Sequence, residues 1–271
     1  MPPRPTLAWL HALSPHVRRS RSTPTPDSRP APFAGVRARP RTAIAALLLA
    51  LLAAPSLTYA ASARNIPPPA AGIDAAPADA PDGLRTIVLA GGCFWGVQAV
   101  YQHTRGVTQA VAGYAGGTAA SANYDAVSSG ATRHAEAVEV TYDPKVVPLA
   151  KLLHIFFSVA HNPTHVNRQE NDVGPQYRSA IFIANERDKK FAQTYIDQLN
   201  AAKAFPRSIA TRLEPLTAFY RAEDYHQDYA TLHPDEPYIR FLDLPKIENL
   251  RKMFAADFRE TPVLVGDAKT N

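Results

Sequence analysis

The 271-residue chain contains a single cysteine, Cys93, so no disulfide within the chain can hold its fold together. Stability must therefore come from a packed apolar core, for which a hydrophobic content of 46% and a charged content of 20% are ordinary values. An unpaired cysteine in such a chain is either a small buried apolar residue or a reactive thiol. The residues around Cys93 have to decide between these two interpretations.

The positive charge of the chain is concentrated in its N-terminal leader. Residues 1–42 contain eight arginines and one acidic residue, so the net charge of +5 comes from this segment and the rest of the chain is slightly acidic. The folded part is therefore not expected to present a basic face, and no nucleic-acid partner is predicted.

The same leader has the build of an export signal. Arginines precede an apolar run over 43–54, and small residues follow at 60–63. The pattern predicts that 1–60 form a basic leader and export signal, and that the protein is exported to the periplasm. The apolar run is shorter than the roughly 20 residues that span a bilayer, but an uncleaved membrane anchor through 42–63 is the alternative.

Composition divides the remainder of the chain. Residues 61–83 are mostly Ala, Pro, Asp and Gly, which predicts an Ala/Pro-rich linker that cannot pack a core. A folded domain is predicted over 84–260, and a disordered tail over 261–271.

Hydrophobic patterning inside this domain predicts a mixture of strands and helices. Strands are predicted at 86–90, 107–114, 135–142, 178–184 and 209–214, and helices directly after Cys93, from Pro148, after a cap at Asn185 and over 223–232. The β-α-β-β-α-β order favours an α+β fold. We expect a ferredoxin-like two-layer sandwich, with helices packed on a mixed sheet and an extended irregular C-terminal segment.

Cys93 lies where a buried strand, closed by Gly91 and Gly92, meets a helix. If the helix begins at or just after Cys93, free backbone N–H groups and the helix dipole favour a thiolate at this position. The adjacent aromatic residues Phe94 and Trp95 can form an apolar cup for a small apolar group. A buried structural cysteine remains the alternative.

Four polar residues are candidates to work with this thiol. Glu136 begins an apolar strand, so burial should raise its pKa and suit it to general acid chemistry; a glutamate at the rim, paired with Arg133, is the alternative. Tyr124 and Tyr177 can donate hydroxyl hydrogen bonds, although packing is the commoner role of such tyrosines. Asp172 lies in a polar loop, where acids usually serve turn formation.

The histidines do not form a recognisable metal motif. His161 and His165 are four residues apart, but Pro163 breaks any helix that would place them on one face. The chain offers no second cysteine as a ligand. The sequence therefore predicts no metal site.

Several ordered motifs resemble one family. The segment from Gly92 to Val97 resembles the signature of peptide methionine sulfoxide reductase A, and further motifs follow in the family's order, so that the resemblance covers about residues 85 to 255. These motifs are at 112–117, 123–124, 129–130 with 134–138, 142–144, 171–179 and 222–227.

The resemblance implies a mechanism at matching positions. It implies that Cys93 attacks the sulfoxide sulfur and that Glu136 protonates the oxygen. Tyr124 and Tyr177 would hydrogen-bond that oxygen, and Asp172 would order the polar part of the site. The product on the enzyme would be a sulfenic acid at the cysteine, which is reversible.

The resemblance also implies the substrate and the recycling partner. Phe94 and Trp95 would hold the terminal methyl group of the S epimer of methionine sulfoxide, free or in oxidised proteins. Many family members carry C-terminal recycling cysteines, and this chain has none. We therefore expect an external thiol reductant, either a thioredoxin-like protein or a small thiol, to recycle the cysteine. We also expect no bound cofactor and a monomer.

Two other functions fit a lone activated cysteine. A thiol peroxidase also uses one, but a peroxide has no evident use for the adjacent Phe94 and Trp95. A secreted binding module with an inert cysteine would recognise oxidised peptides without turnover. An assay with methionine sulfoxide and a thiol separates the three.

Overall fold

The structure, a computed structural model, describes residues 63–70 and 83–266. Its centre is a six-stranded sheet with the order β7-β6-β1-β3-β2-β8. Neighbouring strands are antiparallel except β6 and β7, which are parallel, so the sheet is mixed. The strands are β1 Arg85–Gly91, β2 Val107–Ala115, β3 Ala135–Tyr142, β4 Arg168–Gln169, β5 Asp172–Val173, β6 Ser179–Ile183, β7 Arg212–Pro215 and β8 Phe219–Arg221, where β4 and β5 form a separate hairpin.

Helices pack on this sheet, and the fold is α+β, as predicted. The α-helices are α1 Phe94–Gln102, α2 Tyr124–Ser128, α3 Leu149–Ile155, α4 Glu186–Ala201, α5 Tyr229–Leu232 and α6 Leu244–Met253. Two π-helical turns, Phe156–Ala160 and Ile239–Asp243, follow α3 and precede α6. Short 3₁₀ turns lie at Ala119–Ser121, Pro175–Tyr177 and Asp224–His226.

The main core lies between one face of the sheet and the helices. Side chains alternate across a strand, so every second residue of β3 faces this core. Val138 and Val140 pack there against residues of α1, α3 and α4, whereas Ala135 and Ala137 join a smaller cluster on the opposite face. By the same alternation, Glu136 faces the helices and lies beneath α1.

The C-terminal part differs from the extended irregular segment that was predicted. Residues 244–253 form the regular helix α6, and Pro245 lies in its first turn, where a missing N–H costs nothing. The helix predicted over 223–232 is also wrong in part. Asp228 has a φ of 60°, in the left-handed region, and it separates a 3₁₀ turn from the four-residue α5.

The predicted linker does not hold for residues 63–70, which pack on the domain. Ile66 is 3% exposed within the main core, and its carbonyl accepts a hydrogen bond from His154 Nε2 at 2.9 Å. The Tyr195 hydroxyl donates to the Pro67 carbonyl at 2.9 Å. One buried apolar side chain and the hydrogen bonds to the backbone therefore hold a segment whose composition predicts no structure.

The predicted disordered tail is wrong for residues 261–266. Val265 is buried, and its N–H donates to both carboxylate oxygens of Asp228. The Val263 N–H donates to the Gln102 carbonyl at 3.1 Å. Residues 267–271, the leader over 1–60 and most of the predicted linker lie outside the described residues.

None of the helices within 63–70 and 83–266 is long and apolar enough to cross a membrane. The apolar part of the leader, on which the predictions of export and of an anchor over 42–63 both rest, lies outside the described residues apart from Ala63.

Candidate active site

A sharp turn places Cys93 at the start of α1. Strand β1 ends at Gly91, and Gly92 has a φ of 93°, which favours glycine. A Cβ atom on Gly92 would also lie 2.6 Å from Cβ of Gln169, so this position has no room for a side chain. Cys93 is the N-cap of α1, as the sequence predicted, and it is 8% exposed.

The protonation of Cys93 differs from the sequence expectation. Burial raises the pKa of the thiol well above its ordinary value, and the negative charges of Glu136, Asp243 and Asp172 raise it further. The backbone N–H of Trp95 acts in the opposite direction, as expected at a helix N-terminus, but it does not outweigh the other effects. The resting sulfur is therefore a thiol and not the predicted thiolate.

Glu136 lies directly beneath the N-terminus of α1. It is 2% exposed, and its Oε2 accepts the backbone N–H of Phe94 at 3.0 Å, one of the free N–H groups at the start of the helix. Burial raises its pKa to about 8, with smaller contributions from Asp172 and Asp243, against the hydrogen bond from Phe94. The carboxyl is therefore neutral at pH 7, and the interpretation as a rim glutamate is wrong.

Tyr124 and Tyr177 share the electrostatic environment of the thiol. Tyr124 is the first residue of α2, whose N-cap is Asn123, and Tyr177 ends a 3₁₀ turn. Burial raises the pKa of both hydroxyls, and Glu136 and Cys93, once they ionise, raise it further. Both side chains are therefore neutral hydrogen-bond donors close to the two central groups.

Asp172 belongs to the β4–β5 hairpin and also reaches into the site. Its carboxylate accepts a hydrogen bond from the hydroxyl of Tyr238. Burial raises its pKa, while the Tyr238 hydrogen bond and the charge of Lys246 lower it. Asp172 thereby joins the hairpin to the C-terminal part of the domain. Its role is therefore more than the turn formation that is usual for an acidic residue in a loop.

Phe94 and Trp95 form an aromatic cluster beside the cysteine. Phe94 is 1% exposed, and its ring lies 5.0 Å from that of His226. Trp95 is partly exposed, stacks on Tyr229 at 4.0 Å and meets Tyr238 edge-on at 5.9 Å. The cluster lies at the start of α1, and of the two adjacent aromatic residues Trp95 is the one that is partly exposed.

Sequence reasoning missed the roles of His226, Tyr229 and Tyr238. From the sequence, no role in the site was predicted for His226. Its Nδ1 accepts the indole N–H of Trp95 at 3.3 Å, so the neutral ring carries its proton on Nε2. That Nε2 is buried without a partner among the described residues. The signal was present, because His226 lies in the late motif at 222–227.

The histidine pair considered for metal binding has other partners. His161 Nε2 lies 2.7 Å from Ser179 Oγ, and His165 Nε2 lies 3.3 Å from Asn162 Nδ2. Within 63–70 and 83–266, no group of three or more His, Cys, Asp or Glu side chains is placed to hold a metal ion.

Comparisons with known proteins agree on one family. The family model described as peptide methionine sulfoxide reductase matches residues 85–258. The chain is 54% identical over 183 residues to peptide methionine sulfoxide reductase MsrA 2 of Mesorhizobium japonicum, covering 68% of this chain and 94% of the relative. It is 48% identical over 171 residues to MsrA of Thermus thermophilus, covering 63% and 96%. The crystal structure of Mxr1 from Saccharomyces cerevisiae in reduced form matches with a TM-score of 0.51 and 34% identity, over 58% of this chain and 89% of that one.

Proposed function

This chain belongs to the peptide methionine sulfoxide reductase family, and from that premise we propose that Cys93 is the nucleophile of its reaction. The chain is a peptide-methionine (S)-S-oxide reductase, which reduces methionine sulfoxide, free or in oxidised proteins, to methionine. One observation carries the assignment of residues. The neutral carboxyl of Glu136 lies at the N-terminus of the helix that Cys93 caps.

The substrate would bind with its methyl group against Phe94 and Trp95. Trp95 is held in place by its stack on Tyr229 and by its hydrogen bond to His226. The sulfoxide oxygen would then face the polar side, where the hydroxyls of Tyr124 and Tyr177 and the acid of Glu136 can donate to it. An apolar surface next to neutral donors suits a methyl sulfoxide, which is polar but uncharged. Asp172 would order this polar side through Tyr238.

The chemistry follows from the protonation of the two central groups. Hydrogen bonds to the oxygen make the sulfoxide sulfur more electrophilic, and Cys93 attacks that sulfur as the oxygen takes the proton of Glu136. The thiol proton restores the carboxyl of Glu136. The S–S bond made by the attack and the substrate S–O bond then both break as the oxygen moves to the Cys93 sulfur. The substrate leaves as a thioether, and Cys93 is left as a sulfenic acid. The substrate sulfur is reduced by two electrons, and the cysteine sulfur is oxidised by two.

An external thiol would complete the cycle. The chain has no second cysteine, so the sulfenic acid cannot close an intramolecular disulfide. A first external thiol would form a mixed disulfide and release water. A second would then release Cys93 as a thiol, by ordinary thiol–disulfide exchange. A thioredoxin-like protein or a small thiol can fill this role.

The protein is, in this proposal, exported to the periplasm, where it acts as a monomer. The support for export is the basic leader followed by a short apolar run. Mass spectrometry of the N-terminus of the mature protein would distinguish a cleaved signal from an anchor through 42–63.

We also assign the sheet, as a proposal, to the ferredoxin-like two-layer type. The support is the order β6-β1-β3-β2 of the four central strands, all antiparallel, in a chain with the element order β-α-β-β-α-β.

The decisive experiment is a reduction assay with single-position variants. The full chain is incubated with a peptide containing the S epimer of methionine sulfoxide, with dithiothreitol as the thiol. We expect the wild type to produce methionine and Cys93→Ser to produce none, while the R epimer stays unreduced. Circular dichroism confirms that the variant is folded.

The same assay separates the other functions of a lone cysteine. Full activity in Cys93→Ser, or no reduction by folded wild type, would contradict the proposal. Faster turnover of hydrogen peroxide than of the sulfoxide would indicate a thiol peroxidase. Tight binding of the oxidised peptide without conversion would indicate a binding module.

A further inference from the structure

A buried ion pair from the C-terminal part of the domain lies against the first turn of α1. Lys246 Nζ lies 2.9 Å from Asp243 Oδ1, and the two side chains are 11% and 0% exposed. Asp243 ends the second π turn, and Lys246 lies in the first turn of α6. Desolvation offsets much of the attraction in a buried ion pair, so stability alone is a weak reason for this one.

Gly96 fixes the position of this pair relative to Cys93. Gly96 is the third residue of α1, and Cys93 is the N-cap of the same helix, so the two positions are separated by the first turn. A Cβ atom on Gly96 would lie 2.8 Å from Lys246 Nζ and 2.7 Å from Asp243 Cγ. The carboxylate oxygen Oδ1 of Asp243 is nearer still to that Cβ position, so the missing side chain lets both members of the ion pair approach the first turn of α1.

The other charged groups around the sulfur are carboxylates, whose negative charge disfavours the thiolate form of Cys93. Glu136 from β3, Asp172 from β5 and Asp243 all oppose ionisation of Cys93, and Tyr124, Tyr177 and Tyr238 contribute neutral hydroxyls. Lys246 is a cation within electrostatic reach of this group: Asp243 stabilises its ammonium form most, and the charge of an ionised Cys93 adds to that stabilisation. The second carboxylate oxygen of Asp243 is buried without a partner among the described residues.

We propose that Lys246, held against α1 by Asp243, is a positioning residue that supplies the counter-charge for the Cys93 sulfur when it ionises. The inference rests on the proposed role of Cys93 as the nucleophile and assigns a further residue to the same reaction. Asp243 has two opposing effects: it orients the ammonium, and its own charge disfavours the thiolate. Removal of the Lys246 charge should therefore lower the reactivity of the sulfur, whereas removal of the Asp243 charge should not.

The experiment measures the rate at which iodoacetamide alkylates Cys93 between pH 7 and 9. With one cysteine in the chain, every alkylated protein reports this position. The thiolate is the reacting form, so below its pKa the rate follows the thiolate fraction. We expect Lys246→Met to slow alkylation by roughly tenfold or more. Asp243→Asn should be at least as fast as wild type, and the double variant should be faster than Lys246→Met alone.

Lys252→Met is the matched control. Lys252 lies on the same helix, but its side chain is 67% exposed and paired with Glu248, so its loss should leave the alkylation rate unchanged. An unchanged rate in Lys246→Met would overturn the proposal. Equal slowing in Lys246→Met and Asp243→Asn would overturn it too, because the pair would then only hold the structure.

Two features keep the test decisive. If Lys246→Met leaves Asp243 unpaired and fails to fold, comparison of Asp243→Asn with the double variant still isolates the charge of the lysine. Alkylation also needs no sulfoxide substrate. A failure of the proposed function would appear in the reduction assay, whereas a failure of this inference would appear in the alkylation rates.

Discussion

Burial holds a proton on both central groups of the site. The pKa of Cys93 is raised well above its ordinary value, and that of Glu136 is raised to about 8. The resting site therefore contains a thiol and a carboxylic acid. Such a pair suits an oxygen that must be protonated as it leaves sulfur. It is a poor arrangement for a reaction that needs a permanent thiolate.

The pH dependence of the reductive step follows from Glu136. The acid is protonated below its pKa of about 8, so the single-turnover rate should be flat below pH 7 and fall as the pH rises through about 8. Glu136→Gln cannot donate a proton, and we expect a rate slower by on the order of 10²-fold without this fall. Rapid-quench measurement of methionine formation gives both values. A variant as fast as wild type would remove Glu136 from the mechanism.

Glu136 should also lower the stability of the fold in alkaline solution. Its folded pKa of about 8 lies above the ordinary value of 4.5, so the folded state binds a proton that the unfolded state releases between these values. The unfolding free energy therefore falls as the pH rises from about 4.5 to about 8. At roughly 1.4 kcal/mol per pH unit, the expected loss is on the order of a few kcal/mol.

Urea unfolding at two pH values tests this linkage. Glu136→Gln should be more stable than wild type at pH 8.5, because the amide stays neutral and its oxygen can still accept the Phe94 N–H. At pH 4.5 the difference should be small. Glu248→Gln, at an exposed position on α6, serves as the control and should change little at either pH. Equal stability of Glu136→Gln and wild type at pH 8.5 would contradict the assigned pKa.

Among single residues, the protonation state of Glu136 was predicted correctly from the sequence, whereas that of Cys93 was not. The raised pKa of Glu136 follows from its place on an apolar strand, which is a local property. The charge state of Cys93 depends on Asp172 and Asp243, which come from distant segments. The sequence does not place those acids beside the helix end, so it predicted only the favourable effect of the helix.

Among the elements, the segment over 63–70 contributes to stability although its composition did not predict any structure. Its anchor, Ile66, is buried in the main core. We expect Ile66→Ala to destabilise the protein by about 2–5 kcal/mol, through lost apolar contact and the cavity left behind. Val146→Ala, at a residue that is 61% exposed, is the matched control and should change the unfolding midpoint little. A similar effect of both variants would mean that the segment does not contribute to the core.

Elements were predictable where their signals are local. The strand over 135–142 matches the structure because its valines alternate, and Asn185 caps α4 by accepting the Asp188 N–H. The C-terminal elements depend on tertiary contacts. Asp228 adopts a left-handed conformation while its backbone N–H donates to Gln98 and its carboxylate accepts from Gln102 and Val265, none of which a sequence window contains.

Across the whole molecule, the C-terminal part of the domain closes one side of the site. Tyr238 binds Asp172, Tyr229 stacks on Trp95, and the ion pair of Asp243 and Lys246 lies against α1. This part of the chain carries no cysteine that could recycle Cys93. It supplies aromatic and charged groups that pack around the start of α1. The reducing equivalents must then come from another molecule.

The number of turnovers without a reductant tests this view of the molecule. We expect the reduced enzyme, mixed with excess sulfoxide and no thiol, to form one methionine per chain and then stop, because Cys93 is left as a sulfenic acid. A probe specific for sulfenic acids, such as dimedone, should label the stopped enzyme at Cys93, and dithiothreitol should restart turnover. With sulfoxide in excess, every Cys93 is oxidised, so no thiol is left to form a disulfide between two chains. Repeated turnover without a thiol, or a covalent dimer among the products, would contradict the single-cysteine cycle.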